Sequence, residues 1–394
     1  MTPAPARLDA DFYSYQDLLT PVEQEAALGL REFMEREVRP VADEYWERAE
    51  FPHHLIPGIA ETGVIGAAWP ESARFDNSAV FRGWAALELA RVDASFATFV
   101  GVTSGLAMSS IGAGGSDAQR AEWLPRMGRC EAVGAFGLTE PESGSDAAKG
   151  LRTTATRRGD TWTLDGAKRW IGNATFADVT VVFAKDTADD RVKGFLVRKD
   201  APGFEARKIE RKQSLRSLQN ADITLTGVEV PESDRLQRID SFRDVAGVLR
   251  LTRPGVAWEA VGLAIGAYEA AVRYTAEREQ FGRPVASFQL VQDKLAGALA
   301  NITASLGMCM RVSRMEDEGA QRDEHAAMAK SFVTTRARET VAWCRELLGG
   351  NGIQLDHGVA RPFADAEAVY SYEGTRDMNT LIVGRAITGH QAFV

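Results

Sequence analysis

The chain has 394 residues, 45% of them hydrophobic and 26% charged, which is a globular composition with enough length for two or three domains. Its net charge of -9 and its lack of Lys/Arg runs exclude a nucleic-acid-binding surface, because phosphates require a clustered cationic face. We therefore expect a protein that acts on small molecules.

The first predicted helix begins at Thr20. Thr20 is a capping residue, Pro21 takes the first helical position and Glu23 completes a capping box. Apolar residues then recur at spacings of three and four, and Pro40 is predicted to end the helix. Further helical patterns follow, so residues 1–130 are predicted to form an all-α N-terminal domain.

Neither a dinucleotide loop nor a metal site is predicted. The segment SIGAGGSDAQ superficially resembles a glycine-rich loop, but Asp117 stands in place of the third glycine and no strand precedes it. We interpret it as a turn between helices. The histidines are adjacent or scattered, without the paired spacing of metal ligands.

The pattern changes near Ala132 to short alternating runs that are separated by turn residues, such as Arg158-Gly159-Asp160 and Asp165-Gly166. This pattern predicts a small antiparallel β domain over residues 131–240. After Asp240, three long segments with broad apolar faces predict a helical bundle over residues 241–394. The fold class is therefore α+β, mainly α.

Localisation is inferred from the cysteines and the termini. Cys130, Cys309 and Cys344 are odd in number and lie in apolar or helical segments, as reduced cytosolic thiols do. The first residues have no signal-peptide pattern, and the last three are no peroxisomal signal. We expect a cytoplasmic protein with no membrane partner.

Four segments carry the functional signal. GLTEPESGSDA places small and polar residues at the entrance to the β domain, KRWIGN sets Trp170 beside Gly172, and LLGGNG follows a long helix. In VYSYEGTRD, Glu373 follows an aromatic residue, which suits a carboxylate whose pKa is raised by desolvation. Each feature alone is commonly structural, and their combination points to a ligand site.

These segments, with REQFGRP and GRAITG, occur in the order found in the acyl-CoA dehydrogenase and oxidase superfamily, which the chain resembles from about Thr20 to Phe393. Within it, the chain is most similar to the glutaryl-CoA dehydrogenase and short-chain acyl-CoA oxidase branch. The resemblance implies the acyl-CoA dehydrogenase fold: an N-terminal helical domain, a middle β domain and a C-terminal four-helix bundle.

The resemblance also implies chemistry. Glu373 matches the base that removes the α-proton of an acyl-CoA, while its own backbone N–H and a flavin hydroxyl stabilise the enolate oxygen. The β-hydride passes to FAD and a trans-2-enoyl-CoA results. The implied substrate-side residues are Ser145, Phe96, Ala97, Arg253, Tyr372 and Gly374.

Two groups of residues match FAD-binding positions. The flavin end is implied for Phe136, Leu138, Thr139, Ser145, Trp170, Ile171 and Gly172, and a phosphate-binding helix start for Thr375 and Asp377. Positions that contact the FAD of a neighbouring subunit are matched by Arg278, Phe281, Gln289, Glu346, Gly349 and Gly350. The family habit is a homotetramer, a dimer of dimers.

The substrate and the electron acceptor follow from two departures from the family pattern. Ala97 stands where glutaryl-CoA dehydrogenases carry an arginine, so an uncharged short-chain acyl-CoA is expected. Gly172 stands where most dehydrogenases carry a hydroxyl residue, which leaves an oxidase that reduces O2 as the alternative to a dehydrogenase that uses an electron-transfer flavoprotein. We favour the dehydrogenase. A non-catalytic acyl-CoA or flavin-binding protein is the third alternative, and an intact Glu373 counts against it.

Overall fold

The computed structural model describes residues 7–391. Before the first strand it contains seven α-helices: α1 (Pro21–Phe33), α2 (Arg39–Arg48), α3 (Ile56–Thr62), α4 (Ala79–Val92), α5 (Ala94–Val100), α6 (Met108–Gly114) and α7 (Asp117–Gly128). The predicted capping box at Thr20 and Glu23 is present. The SIGAGGSDAQ segment is the end of α6, a short turn and the start of α7, as predicted.

The prediction that the first helix ends at Pro40 is wrong. Helical backbone continues from α1 through a π-helical turn at Met34–Val38 into α2. Pro40 lies in the first turn of α2, while the N–H of Arg39 bonds to the carbonyl oxygen of Met34. A proline in this position interrupts nothing, because the π-type turn changes the hydrogen-bonding ladder just before it.

The middle of the chain forms a seven-stranded sheet. Its strands are β1 (Gly134–Gly137), β2 (Thr154–Arg158), β3 (Thr161–Gly172), β4 (Val179–Asp186), β5 (Val192–Arg198), β6 (Phe204–Lys208) and β7 (Asn220–Pro231). The order is β1-β4-β2-β3-β7-β6, and β5 pairs with β4. A short helix α8 (Ala147–Gly150) lies between β1 and β2.

The sheet is mixed, so the prediction of an antiparallel domain needs correction. Four pairings are antiparallel (β2–β3, β3–β7, β4–β5, β6–β7), but β1 and β2 both run parallel to β4. Turn residues in the sequence mark only hairpins between consecutive strands, whereas parallel partners are joined by long connections that carry no comparable signal.

The C-terminal part is helical. It contains α9 (Phe242–Glu277), a small hairpin of β8 (Glu279–Gln280) and β9 (Arg283–Pro284), α10 (Gln289–Asp317), α11 (Asp323–Leu347), α12 (Ala360–Ser371) and α13 (Arg376–Thr388). The three long predicted helices are thus present as α9, α10 and α11. Helix α9 packs on α10 and α11, and α11 also contacts α12 and α13.

Helix α9 also joins the bundle to the N-terminal helices through a close contact with α4. A Cβ at Gly262 would stand 2.1 Å from the carbonyl oxygen of Leu87, and one at Gly266 would stand 2.2 Å from that of Arg91. No side chain fits at such distances. The two backbones therefore touch, and α9 is fixed relative to α4 and α5, which all contribute residues to one cavity.

Two helical segments, Ala94–Gly114 and Gln289–Asp317, are long and apolar enough to cross a membrane by length and composition alone. The first combines α5, a π-helical turn at Gly101–Ala107 and α6, and most of it is buried in the fold. A core helix of a globular protein has the same length and composition.

Candidate active site

A cavity of about 1190 Å³ lies where the N-terminal helices, the sheet and α9 meet. Its wall also includes the segment between α12 and α13. The structure brings most of the predicted site residues to this cavity: Ala97, Phe136, Leu138, Thr139, Ser145, Trp170, Ile171, Gly172, Arg253, Tyr372, Glu373, Gly374 and Thr375. Positions far apart in the sequence therefore converge on one chamber.

The remaining predicted cofactor residues lie on the surface, outside this cavity. All are exposed in the described chain, and they lie on or beside the β8–β9 hairpin, at the start of α10, at the end of α11 and at the start of α13: Arg278, Phe281, Gln289, Glu346, Gly349, Gly350 and Asp377. Phe281 is 93% exposed. None of these residues lines the cavity formed by the described part of the chain at α9 and the sheet.

Phe96 was expected to face the substrate, but the structure places it behind the cavity wall. It is 1% exposed, and its ring packs 6.0 Å from Phe51 and 5.8 Å from Phe99. Because Asp93 caps α5, Phe96 lies in the first turn and points into the core, while Ala97 faces the cavity. Phe96 therefore supports the wall and does not form it.

Glu373 lies between α12 and α13 in a left-handed backbone conformation, with φ of 54°, followed by Gly374 with φ of 83°. Left-handed backbone is costly for a residue other than glycine, so the surroundings must hold it. Its Oε2 accepts a hydrogen bond of 3.2 Å from Thr252 Oγ1 of α9. Burial raises the pKa of the Glu373 carboxyl, while Arg253, the Thr252 hydrogen bond and Lys330 act in the opposite direction.

Lys330 holds this segment, and the sequence analysis missed it. The side chain is fully buried in α11, and its Nζ donates hydrogen bonds of 2.7 Å to the Tyr370 carbonyl and 2.8 Å to the Gly374 carbonyl, one on each side of Glu373. Burial lowers the pKa of Lys330 to about 8. The available signal was a lysine in the apolar run AAMAKSFV.

Glu259 is a second carboxyl in the cavity that the sequence analysis missed. It is 7% exposed, lies on α9 and accepts a short hydrogen bond from the Tyr372 hydroxyl. Burial raises the pKa of Glu259 to about 7, and the charge of Glu373 acts in the same direction. Two carboxyl groups with raised pKa values thus line one chamber, as is common in catalytic sites.

Trp170 and Gly172 form the edge of the chamber at the end of β3. The pairing of β3 with β7 shifts between Lys168 and Ile171, and Trp170, with φ of 65°, is turned outward and is 51% exposed. At Gly172 a Cβ would stand 2.9 Å from Val102 Cγ2. Val102 therefore already occupies the space that a side chain at position 172 would take.

Three family models match consecutive parts of the chain. They are described as the N-terminal, middle and C-terminal domains of acyl-CoA dehydrogenase, and they match residues 20–131, 135–228 and 242–388. The chain belongs to the acyl-CoA dehydrogenase family. It is thus an oxidoreductase that acts on acyl-CoA.

Two similar proteins cover nearly the whole chain, as expected for a member of this family. An acyl-CoA dehydrogenase of Bacillus subtilis is 32% identical over 365 residues, which cover 91% of this chain and 96% of the relative. A 3-(aryl)acrylate reductase of Clostridium sporogenes is 32% identical over 360 residues, with 90% and 95% covered. A dehydrogenase and a reductase are thus both 32% identical to this chain. Sequence identity at this level therefore does not define the substrate.

Solved acyl-CoA dehydrogenase structures superpose along almost the whole chain. A glutaryl-CoA dehydrogenase of Mycobacterium smegmatis in complex with FADH2 has a TM-score of 0.94 and 36% identity, with all of both chains covered. Butyryl-CoA dehydrogenase of Megasphaera elsdenii has a TM-score of 0.90 and 30% identity, with 94% of this chain and 98% of that chain covered.

The residues of the cavity fit FAD, on which this family depends. The Trp170 ring, over which the Arg169 guanidinium lies, lines the cavity together with the apolar side chains of Phe136 and Leu138, and such surfaces suit a flat ring system. Thr375 caps α13 and lines the same cavity, so the start of this helix suits an anionic group. Both parts of a flavin nucleotide, ring and phosphate, have matching surfaces here.

Proposed function

We propose that this acyl-CoA dehydrogenase oxidises a short-chain, uncharged acyl-CoA to its trans-2-enoyl-CoA, with Glu373 as the base. The observation that carries the proposal is the fixed carboxylate of Glu373 in the cavity wall, bonded to Thr252 and bracketed by the Lys330 hydrogen bonds. A surface glutamate at a helix start would need neither a buried lysine nor a left-handed backbone.

Glu373 removes the α-proton of the thioester. Partial burial makes its carboxylate a stronger base than one in water, because the charged form is less well solvated. In the described part of the chain no hydrogen bond uses the backbone N–H of Glu373, which leaves this donor for the thioester oxygen, where negative charge develops. When FAD is bound, it supplies the acceptor for the β-hydride.

The absence of a cation at position 97 supports an uncharged acyl group. Ala97 lines the cavity, where glutaryl-CoA dehydrogenases carry arginine, and a distal carboxylate buried without a partner is costly. A relative described as short-chain specific, from Megasphaera elsdenii, is 31% identical over 378 residues. Glutaryl-CoA is therefore proposed not to be a substrate, although the glutaryl-CoA dehydrogenase fold is the same.

We further propose that electrons leave through an electron-transfer flavoprotein. Val102 fills the space next to Gly172, which supports a closed flavin edge and so a dehydrogenase. The short-chain oxidase, which would form hydrogen peroxide, remains the second candidate because Gly172 lacks the usual hydroxyl. A non-catalytic binding protein is the third, and it would have no use for the Lys330 hydrogen bonds around Glu373.

The exposed residues that match the FAD contacts of a neighbouring subunit support a homotetramer, a dimer of dimers. Arg278 and Phe281, at the β8–β9 hairpin, present a cation and an apolar ring on the surface, where Phe281 is 93% exposed although its ring touches Phe288. The cytoplasm is the proposed location, as the sequence analysis predicted.

One anaerobic titration tests the function. The purified protein should carry a flavin spectrum that butyryl-CoA bleaches and glutaryl-CoA does not. Mixing the reduced protein with air-saturated buffer then separates the acceptors: rapid reoxidation with stoichiometric hydrogen peroxide would identify an oxidase. Efficient turnover of glutaryl-CoA with release of carbon dioxide would overturn the substrate assignment.

A further inference from the structure

The carboxyl of Glu259 is not used by the chemistry proposed above. It lies in the cavity wall on α9, is 7% exposed, and one of its oxygens, Oε2, accepts the hydrogen bond from the Tyr372 hydroxyl. Among the described residues no ion pair involves Glu259, and the hydrogen bond from Tyr372 goes to Oε2 and leaves the second oxygen, Oε1, without a side-chain donor. Oε1 is open to the cavity, so a substrate that fills this part of the cavity must supply a partner for it or leave it unpaired.

Glu259 Oε1 lies beside Gly101, a residue that also lines the cavity. A Cβ on Gly101 would stand 3.0 Å from Glu259 Oε1, so the missing side chain of Gly101 leaves room beside this oxygen. The cavity wall includes the apolar residues Ala97, Val100 and Trp258, together with the polar Thr98. A purely alkyl chain would fill this part of the chamber but would leave Oε1 without a partner.

We propose that the acyl chain of the substrate carries a hydroxyl group near its far end, and that Glu259 Oε1 binds this hydroxyl. This inference rests on the proposed function, because it assigns the cavity to the acyl group. A hydroxyl both donates and accepts, so it pairs with either protonation state of the Glu259 carboxyl. With the pKa of Glu259 raised to about 7, both states are populated near neutral pH.

The spacing on α9 sets the position of the hydroxyl. Thr252, which touches Glu373, and Glu259 are seven residues apart on one face of the helix, or about 10 Å along its axis. The two glutamate side chains span part of this distance. With carbon–carbon bonds of about 1.5 Å, a hydroxyl roughly four carbons beyond the α-carbon reaches the second carboxyl, which corresponds to 6-hydroxyhexanoyl-CoA.

The test compares three thioesters: 6-hydroxyhexanoyl-CoA, its methyl isostere heptanoyl-CoA, and 6-aminohexanoyl-CoA. The wild-type protein should use the hydroxylated thioester about tenfold better in kcat/KM than the isostere, since one hydrogen bond contributes about that factor. Glu259→Leu should abolish or reverse this preference. Glu259→Gln should largely keep it, because an amide also donates and accepts.

Binding is measured separately from turnover. Calorimetry with the Glu373→Gln variant, which lacks the base, should give a dissociation constant about tenfold lower for the hydroxylated thioester than for heptanoyl-CoA. Gly101→Ala offers a second variant if Glu259→Leu does not fold, because its methyl group crowds Oε1 and should weaken binding of the hydroxylated thioester alone.

Each outcome decides the inference. Equal use of hydroxylated and methyl thioesters by the wild-type protein would overturn it, and so would a preference for the aminated chain, which would indicate a cationic substrate. If Glu259→Leu lowers kcat/KM equally for all three thioesters, Glu259 only positions Tyr372, and the inference is wrong. If no acyl-CoA bleaches the flavin, the proposed function itself fails, whereas bleaching by butyryl-CoA without a hydroxyl preference removes only this inference.

Discussion

Thr252 Oγ1 donates a hydrogen bond of 3.2 Å to Glu373 Oε2, and this contact joins α9 to the segment between α12 and α13. Lys330 of α11 bonds the carbonyl oxygens of Tyr370 and Gly374 on either side of the same carboxylate. The proposed base is therefore held by two helices of the bundle rather than by its own short loop. Its position depends on how α9 and α11 pack together.

Replacing the base should separate binding from chemistry. Glu373→Gln keeps the size and the Thr252 contact, so we expect the variant to retain FAD and to bind acyl-CoA. It should fail to bleach the flavin in an anaerobic titration, because only proton removal is lost. Glu367→Gln, on α12 beside the same cavity, is the matched control and should remain reducible. Undiminished reduction of the Glu373 variant would refute the assignment.

Lys330→Met should impair the position of the base without touching the substrate. The Tyr370 carbonyl loses its donor and the Gly374 carbonyl keeps only the hydrogen bond from Asn379, at a cost of about 1–3 kcal/mol for the unsatisfied group. The left-handed backbone at Glu373 then loses part of its support. We expect the rate of flavin reduction, followed by stopped flow, to fall at least tenfold with little change in the dissociation constant of acyl-CoA. An unchanged rate would show that Thr252 alone fixes the carboxylate.

The buried carboxyl of Glu259 predicts a pH-dependent stability difference. Its pKa in the folded protein is about 7 against an ordinary value of 4.5, so its contribution to stability is fully present below the ordinary value and is lost as the pH rises to about 7. Glu259→Gln should therefore gain stability relative to the wild-type protein over this interval, by up to the order of 3 kcal/mol.

Thermal unfolding at pH 5 and pH 8 measures this gain. The difference in melting temperature between the Glu259 variant and the wild-type protein should increase with pH. Glu25→Gln, at an exposed position of α1, provides the control. A difference that stays constant between the two pH values would mean that Glu259 is not buried as a protonated acid.

Val102 should control the access of oxygen to the flavin edge. Val102→Ala removes the methyl group that lies 2.9 Å from the position of a Cβ on Gly172, so we expect faster reoxidation of the reduced flavin in air-saturated buffer. The double variant Val102→Ala with Gly172→Ala refills the gap and should return the rate toward that of the wild-type protein. If Val102→Ala leaves reoxidation unchanged, the packing at Gly172 does not govern the choice of acceptor.

Local signals in the sequence predicted local structure well. The Thr20 capping box and the turn before Asp117 are present because each depends on residues within one turn of chain. The prediction that the first helix ends at Pro40 was wrong because a π-helical turn precedes this proline. The parallel pairing of β1 and β2 with β4 was missed because long connections between strands leave no turn signal in the sequence.

The candidate site was predicted where a recognisable segment carries it. Trp170, Glu373 and Thr375 come from such segments and meet in the cavity. Lys330 and Glu259 lie in ordinary helical sequence, and their roles exist only because α9, α11 and the segment after α12 come together in space. Phe96 was misplaced because the face of a short helix is set by its cap, in this case Asp93.

The exposed position of Trp170 allows FAD binding to be followed by the intrinsic tryptophan fluorescence of the protein. The chain contains eight tryptophans, and in the structure Trp170 is the exposed one, while the other seven are buried or partly buried. An exposed indole emits at longer wavelengths than a buried one, so the red edge of the emission spectrum belongs to Trp170. Loss of that red edge on addition of FAD would follow cofactor capture in real time, without a substrate or an added dye.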